Sequence, residues 1–389
     1  MTSRIIFNVI CSFFMVFVLL RSVGGNMLFD YSIYSLPLIT MFLVLPYNVL
    51  TNNVNYNNDN IIFKFFIVNI FISIFYIIIN LISQNIFSRT FMELYFLNAP
   101  ILTVFLLSTL KLDKSFLENK LKLMSIGFVC IYLFNVDFNL VKILFLIIDL
   151  CKNLFLDSSL AAEFESSFSF IFAFFSLLFF YKRQYLFFTF FSIFTLVSYK
   201  RIALFGLFTC IIILIFLRIF NINFTNNKKK IAIVGLSMNL FLIYMFILII
   251  NGYFDYYVKL FFGKSLNFLM MGRMQLFSYA FEINNNTYNI FGLGLGSLSH
   301  SLTSNYFTKL TNIHSDILKT YIEGGLIIFC YTFYFYYKLA SVNSLTVALL
   351  ILFNFIIISD NIMIYFSTMF IFFMIIFIYS KDFKTKQAS

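Results

Sequence analysis

Residues 61–82 read IIFKFFIVNIFISIFYIIINLI, with Lys64 the single charge in 22 residues. A helix rises 1.5 Å per residue, so this stretch alone covers the ~30 Å hydrocarbon core of a bilayer. Apolar runs of similar length recur from one end of the chain to the other. Over all 389 residues, 61% are hydrophobic and 11% are charged, against about 25% charged in a soluble domain. The expected fold is therefore all-α: a polytopic helical bundle forming one membrane domain over residues 1–389. Soluble enzyme and soluble binding-module classes are excluded.

Working outward, the apolar runs fall at 5–22, 33–50, 61–82, 91–110, 121–138, 165–181, 184–198, 202–220, 231–250, 317–337, 343–359 and 361–379, which predicts about twelve transmembrane helices. The first resembles a signal peptide, but no small-x-small cleavage site follows it, so it is read as an uncleaved span. Segment 139–156 carries Lys142, Asp149 and Lys152 and is read as an interfacial segment lying on the membrane. Lysines and arginines mark cytoplasmic loops. With the N-terminus cytoplasmic, Arg4, Lys111, Lys114, Lys120, Lys122, Lys182, Arg183, Arg218, Lys228–Lys230, Lys338 and the tail lysines Lys381, Lys384 and Lys386 all fall inside. Both termini are then cytoplasmic. The net charge of +11 is accounted for by topology, and no nucleic-acid partner is expected. The five cysteines, Cys11, Cys130, Cys151, Cys210 and Cys330, are scattered. They form no C-x-x-C pair and no Cys/His spacing for a metal, so they are read as apolar packing.

One large outer loop remains, 251–316, of about 65 residues and far beyond what a connection requires. Its stretches YFDYYVKLFFG and LFSYAFEI suggest short helices at the interface. The loop ends in FGLGLGSLSHSLTSNYFTKLTNIHSDILKTYIEGGL, residues 291–326, which holds both histidines, His300 and His314. Gly292, Gly294 and Gly296 have two readings: a backbone that approaches phosphate, or a turn in which no side chain fits. No G-x-G-x-x-G follows a strand, so a nucleotide fold is excluded. Asp316 falls in the first turn of the next helix, where it can cap or act chemically. Glu323, two turns deeper on the same face, either pairs with Lys319 or is an intramembrane acid of functional weight.

Cations on the outer face run against the orientation rule. Lys200 and Arg201 share the short turn in VSYKRIALFG, and Arg273 sits in MMGRMQLFSYAFE with Lys259 and Lys264 in the same loop. Lys259 and Lys264 are read as snorkelling to headgroups. Two adjacent cations in a tight turn cannot both do so, and one is expected to face the bundle toward an anionic partner. Arginine offers a planar fork suited to phosphate.

These residues, in this order, resemble the O-antigen polymerase (Wzy) and O-antigen ligase superfamily of bacterial membrane glycosyltransferases. The resemblance runs through Arg273, NIFGLGLGS, His314-Ser315-Asp316 and Glu323 with Gly325 and Leu326, and SYKRIALF is similar to the family's Ser-x-Arg turn. It departs at Ser315, where Asn is common, and its motifs span about 130 residues of the chain. It implies a GT-C-like fold, a place in the bacterial inner membrane and undecaprenyl-diphosphate-linked oligosaccharides as donor and acceptor. No metal or other cofactor is implied. It further implies an association with a chain-length regulator protein, besides membrane lipid. Lys200, Arg201 and Arg273 are then the expected diphosphate-binding residues, and His314, Asp316 and Glu323 the expected catalytic ones, with the three loop glycines contributing backbone. Joining of repeat units by a polymerase is the preferred activity. Transfer to lipid A-core by a ligase and translocation by a flippase are the alternatives. A flippase would spread charge through many helices, whereas here it gathers at one face.

Overall fold

The computed structural model describes residues 2–23, 31–51, 60–83, 88–137, 165–220, 227–263, 265–269, 273–283, 290–305 and 313–380. Every regular element among them is helical. The apolar helices are α1 (Ser3–Val23), α2 (Leu36–Leu50), α3 (Ile61–Ile82), α4 (Ser88–Ser108), α5 (Lys114–Asn135), α6 (Phe168–Tyr181), α7 (Tyr185–Val197), α8 (Arg201–Ile219) and α9 (Lys228–Ile250). The large loop contributes α10 (Asp255–Phe262), α11 (Leu266–Leu269), α12 (Met274–Ile283) and α13 (Ser297–Asn305). Then follow α14 (Asp316–Ala340), α15 (Ser344–Ser359) and α16 (Phe366–Ser380). A helix thus covers each of the expected apolar runs. Six of these segments are long and apolar enough to cross a membrane: Ser3–Val23, Ile33–Leu50, Ile61–Ile82, Arg89–Ser108, Arg201–Ile219 and Lys228–Ile250. The expected interfacial segment 139–156 lies outside the described residues.

The shorter helices α6 and α16 sit at the centre. Their residues FSFIFAFFSLLFFY and FSTMFIFFMIIFIYS are buried on nearly every side, which is why neither carries a polar face. Apolar side chains gain nothing by leaving lipid for protein, so close packing must hold these helices. Phenylalanine supplies it: Phe14 meets Phe370 at 4.4 Å between ring centroids, and Phe353 meets Phe372 at 4.8 Å.

Contacts between helix ends fall into two sets. At one end of the bundle Arg4 pairs with Asp113 at 2.6 Å, Asn60 donates to Ser108 at 2.6 Å, Lys182 pairs with Glu118, and Asn343 donates to the Tyr379 carbonyl at 3.0 Å. At the other end Tyr34 donates to the Ile364 carbonyl at 3.1 Å, Ser166 N–H to the Ser198 carbonyl at 3.1 Å, and Asn80 to the Leu295 carbonyl at 3.0 Å. Consecutive apolar helices therefore run in alternating directions.

One helix is not continuous. Gly325 interrupts α14 with φ 66° and ψ −176°, a region essentially reserved for glycine. The break frees the carbonyls of Ile322 and Glu323 from the helical ladder, and the large loop uses them.

Candidate functional site

The glycine-rich stretch docks into this break. Leu293 N–H donates to the Ile322 carbonyl at 3.0 Å and Gly294 N–H to the Glu323 carbonyl at 2.9 Å, while Ile327 N–H donates to the Ile290 carbonyl at 3.3 Å. The loop backbone lies so close that a Cβ on Gly292 would sit 2.3 Å from the Glu323 oxygen, and one on Gly325 would sit 2.4 Å from the Gly292 nitrogen. Glu323, fully buried, sends Oε1 back to accept from Gly296 N–H at 3.1 Å and Leu298 N–H at 3.2 Å, capping the start of α13. Asn80 accepts from Leu295 N–H at 2.8 Å. The N–H groups of Leu293, Gly294, Leu295 and Gly296 are thus spent on protein acceptors. Of the two glycine readings, the turn that no side chain fits is the one the geometry displays.

Glu323 does not take Lys319 as its ion-pair partner. The Lys319 ammonium meets Glu93 of α4 at 2.7 Å, and Glu93 also holds Arg89 at 3.0 Å and accepts from the Ser299 hydroxyl at 3.1 Å. Glu93 and Lys319 are both buried. A charge removed from water this completely must be paired, and these two pair with each other. A cavity of about 40 Å³, room for a water or two, lies among Tyr76, Glu93, Asp316, Lys319 and Glu323.

A second cluster gathers at the same end of the bundle, around a residue not anticipated from the sequence. Asp360 lies between α15 and α16, with 4% of its side chain exposed. Lys200 approaches its Oδ2 at 3.4 Å and pairs with Glu165 at 2.8 Å. The imidazole Nδ1 of His314 stands 3.8 Å from Asp360 Oδ1. Tyr365 O–H donates to Oδ1 at 3.0 Å and Asn361 N–H at 2.8 Å. Arg273 donates to the carbonyl of Ser359, the preceding residue, at 2.7 Å. Burial works against charge on Asp360. The neighbouring imidazole, the Lys200 ammonium and the two donors outweigh it and hold the carboxyl down at about 2.

The backbone is bent to achieve this. His314 has φ 51° and Tyr199 φ 46°, a left-handed region uncommon for residues with a Cβ. In the turn 198–200 the two adjacent cations part company: Lys200 enters the cluster, and the Arg201 guanidinium lies over the Tyr199 ring at 5.5 Å. Asp316 does not cap its own helix. Ser315 does, accepting from Leu318 N–H at 3.3 Å. Asp316 Oδ2 instead accepts from Met363 N–H at 2.8 Å, and its own N–H donates to the Asp360 carbonyl at 3.3 Å. Those two bonds pin the His314-Ser315-Asp316 run against the turn that carries Asp360.

Of the residues singled out from the sequence, then, Lys200, Arg273, His314 and Asp316 converge on Ser359–Met363. Glu323 and the three glycines belong to the adjoining loop-docking structure. His300 is on α13 and exposed. Asp360 and Glu93 were not picked out, although each is an acid set among apolar residues, the pattern that marks an ionisable group at membrane depth. Two permanent cations, Lys200 and Arg273, and His314 gather here with the carboxylates of Asp360 and Glu165. With Nδ1 turned to Asp360, the His314 ring leaves Nε2 available to a reacting hydroxyl. Among the described residues no group of His, Cys, Asp and Glu has the make-up of a metal site.

No protein-family model, curated protein or solved structure matches this chain.

Proposed function

We propose that this protein is a polymerase of O-antigen or a related surface polysaccharide, joining undecaprenyl-diphosphate-linked repeat units at the outer face of a bacterial inner membrane. The observation that carries the reading is the meeting of Lys200, Arg273 and His314, from three distant segments, around Asp360 at one end of an apolar helical bundle. Transfer breaks the bond between the donor's anomeric carbon and its diphosphate and forms one from that carbon to an acceptor hydroxyl oxygen. Negative charge grows on the departing diphosphate. Lys200 and Arg273, held at this turn, receive it, with Arg201 adjoining Lys200 from the next position, which is how a preorganised site lowers such a barrier. The acceptor proton passes to His314 Nε2. Asp360 orients the ring and stabilises the imidazolium that forms, and Asp316 holds the segment in register. Glu323 acts at one remove, by anchoring the loop beside the site.

Twelve spans with both termini cytoplasmic, in a GT-C-like bundle, complete the proposal. The alternating helix directions and the separation of end contacts into two sets support that topology. The cation-marked ends, with Arg4, Lys114 and Lys182, then face the cytoplasm, and the Asp360 cluster faces outward.

The test is lipopolysaccharide banding from a deletion strain complemented with wild type, Arg273→Ala, His314→Ala or Asp360→Asn, with membrane expression verified. Wild type restores a ladder, and each variant leaves a single-repeat band. A deletion strain with no repeat on its core points instead to a ligase or a flippase. Full ladders from all three variants overturn the site assignment.

A further inference from the structure

Both α9 and α15 pack on α14 but leave a groove between themselves, whose mouth lies at the end of the bundle opposite the Asp360 cluster. Its volume is about 370 Å³, within the range of small-molecule sites. Val234, Met238, Leu350, Ile351 and Phe355 line its walls, and the ring of Tyr337 from α14 forms its floor. That floor is fixed. The Tyr337 hydroxyl donates to Asn354 and accepts from Asn239 at 3.1 Å, and Gly235 lies so near that a Cβ there would stand 2.9 Å from the ring. The groove therefore cannot close by a turn of this side chain.

Its length and its ends say what fits. From Val347 to Ile358 the wall of α15 runs about 16 Å at 1.5 Å per residue, ending two residues before Asp360. That length suits an extended acyl chain. The mouth is polar and cationic: Asn227 and Lys230 border it, Lys228 and Lys229 adjoin them, and Lys64 of α3 comes near enough to repel Lys228. A long apolar slot with Lys230 at its rim and further lysines adjoining matches an anionic diacyl phospholipid. We propose that the groove binds one such lipid, an acyl chain along α15 and its phosphate on Lys230. By the topology proposed above, this is a lipid of the cytoplasmic leaflet. The polyprenyl substrate is not the occupant, because its diphosphate belongs at the other end of the molecule. That exclusion rests on the polymerase reading; the slot and its lysine do not.

The experiment is native mass spectrometry of the purified full-length protein after mild delipidation and exposure to phosphatidylglycerol, phosphatidylethanolamine or undecaprenyl phosphate. Wild type is expected to retain one phosphatidylglycerol and to bind phosphatidylethanolamine at least about fivefold more weakly. Lys230→Gln is expected to lower phosphatidylglycerol affinity about fivefold, the worth of one lysine beside an anionic headgroup. Val234→Trp fills the slot and removes the retained lipid with every lysine intact. Ile351→Trp does the same from the opposite wall, and elution as a single species verifies that both variants fold. Equal retention of the two phospholipids, preference for undecaprenyl phosphate, or retention unchanged in both tryptophan variants would each overturn the assignment.

Discussion

Glu323 separates a chemical role from an architectural one, and two substitutions read the difference. Its Oε1 accepts from Gly296 and Leu298 at 3.1 and 3.2 Å inside a fully buried site. A buried N–H left without its acceptor costs about 1–3 kcal/mol. Glu323→Ala removes the acceptor and strands two buried N–H groups, a loss of about 2–6 kcal/mol. Glu323→Gln keeps an acceptor oxygen in place, a loss of no more than about 1 kcal/mol. Thermal unfolding in detergent is therefore expected to place Gln well above Ala, with wild type highest. Banding on the gel is expected to follow the same order, Gln giving a ladder close to wild type and Ala a weak one. If Gln unfolds with wild type yet gives a single-repeat band, the carboxylate charge takes part in the reaction. The anchoring role argued from its hydrogen bonds would then be refuted.

Gly325→Ala and Gly292→Ala each drive a Cβ to within 2.6 Å of backbone atoms that cannot rotate away. Both are expected to cost more than about 3 kcal/mol. Hydrogen exchange tests this directly, since the amides of Leu293 and Gly294 should be protected in wild type and fast in either variant. Asp360 is held down at about 2, below the ~3.9 of an unfolded aspartate. Its ionised form therefore contributes stability that is fully present above about pH 4 and is lost as pH falls through about 2. The gap in melting temperature between wild type and Asp360→Asn should accordingly stay constant from pH 7 to pH 5, and a gap that narrows in that window contradicts the charge assignment. Cysteines placed at Thr51 and Ser301 in a cysteine-free background test topology with an impermeant thiol reagent on spheroplasts. Ser301→Cys should react in intact spheroplasts and Thr51→Cys only after lysis, and the reverse pattern inverts the bundle.

The helices were legible in the sequence because lipid imposes length and apolarity on each one separately. The charged site was legible in part, for a related reason. Lys200, Arg201 and Arg273 stood out as cations on the disfavoured side, and His314 as one of two histidines. Asp360 did not, since a lone acid between two apolar runs looks like an ordinary turn residue until Lys200, His314 and Tyr365 are seen to meet there. Nor did Glu93, which lies 226 positions before its partner Lys319, a separation no local pattern crosses. Glu323 was conspicuous, but its partners were read from helical spacing. Spacing of four suggested Lys319, whereas the break at Gly325 brought in a loop whose N–H groups compete for the same carboxylate.

The density of polar residues between 291 and 326 follows from that break. A helix of an apolar bundle interrupted at Gly325 exposes carbonyls that apolar surroundings cannot satisfy, so a second segment of backbone must enter. The entering segment needs glycine where its path meets α14, Asn80 and Thr90 in turn, hence the alternation at 292, 294 and 296. Its own next helix, α13, begins inside the protein and needs a buried acceptor, which Glu323 provides. Lys319 lies close to Glu323 while paired to Glu93, which also holds Arg89. Each polar group is thus the answer to the one before it. The chain of necessity ends at Asp316, whose bonds to Met363 and to the Asp360 carbonyl fasten the broken helix to the turn that carries Asp360. Disturbing the loop should therefore reach His314 through α14 without any contact between the two.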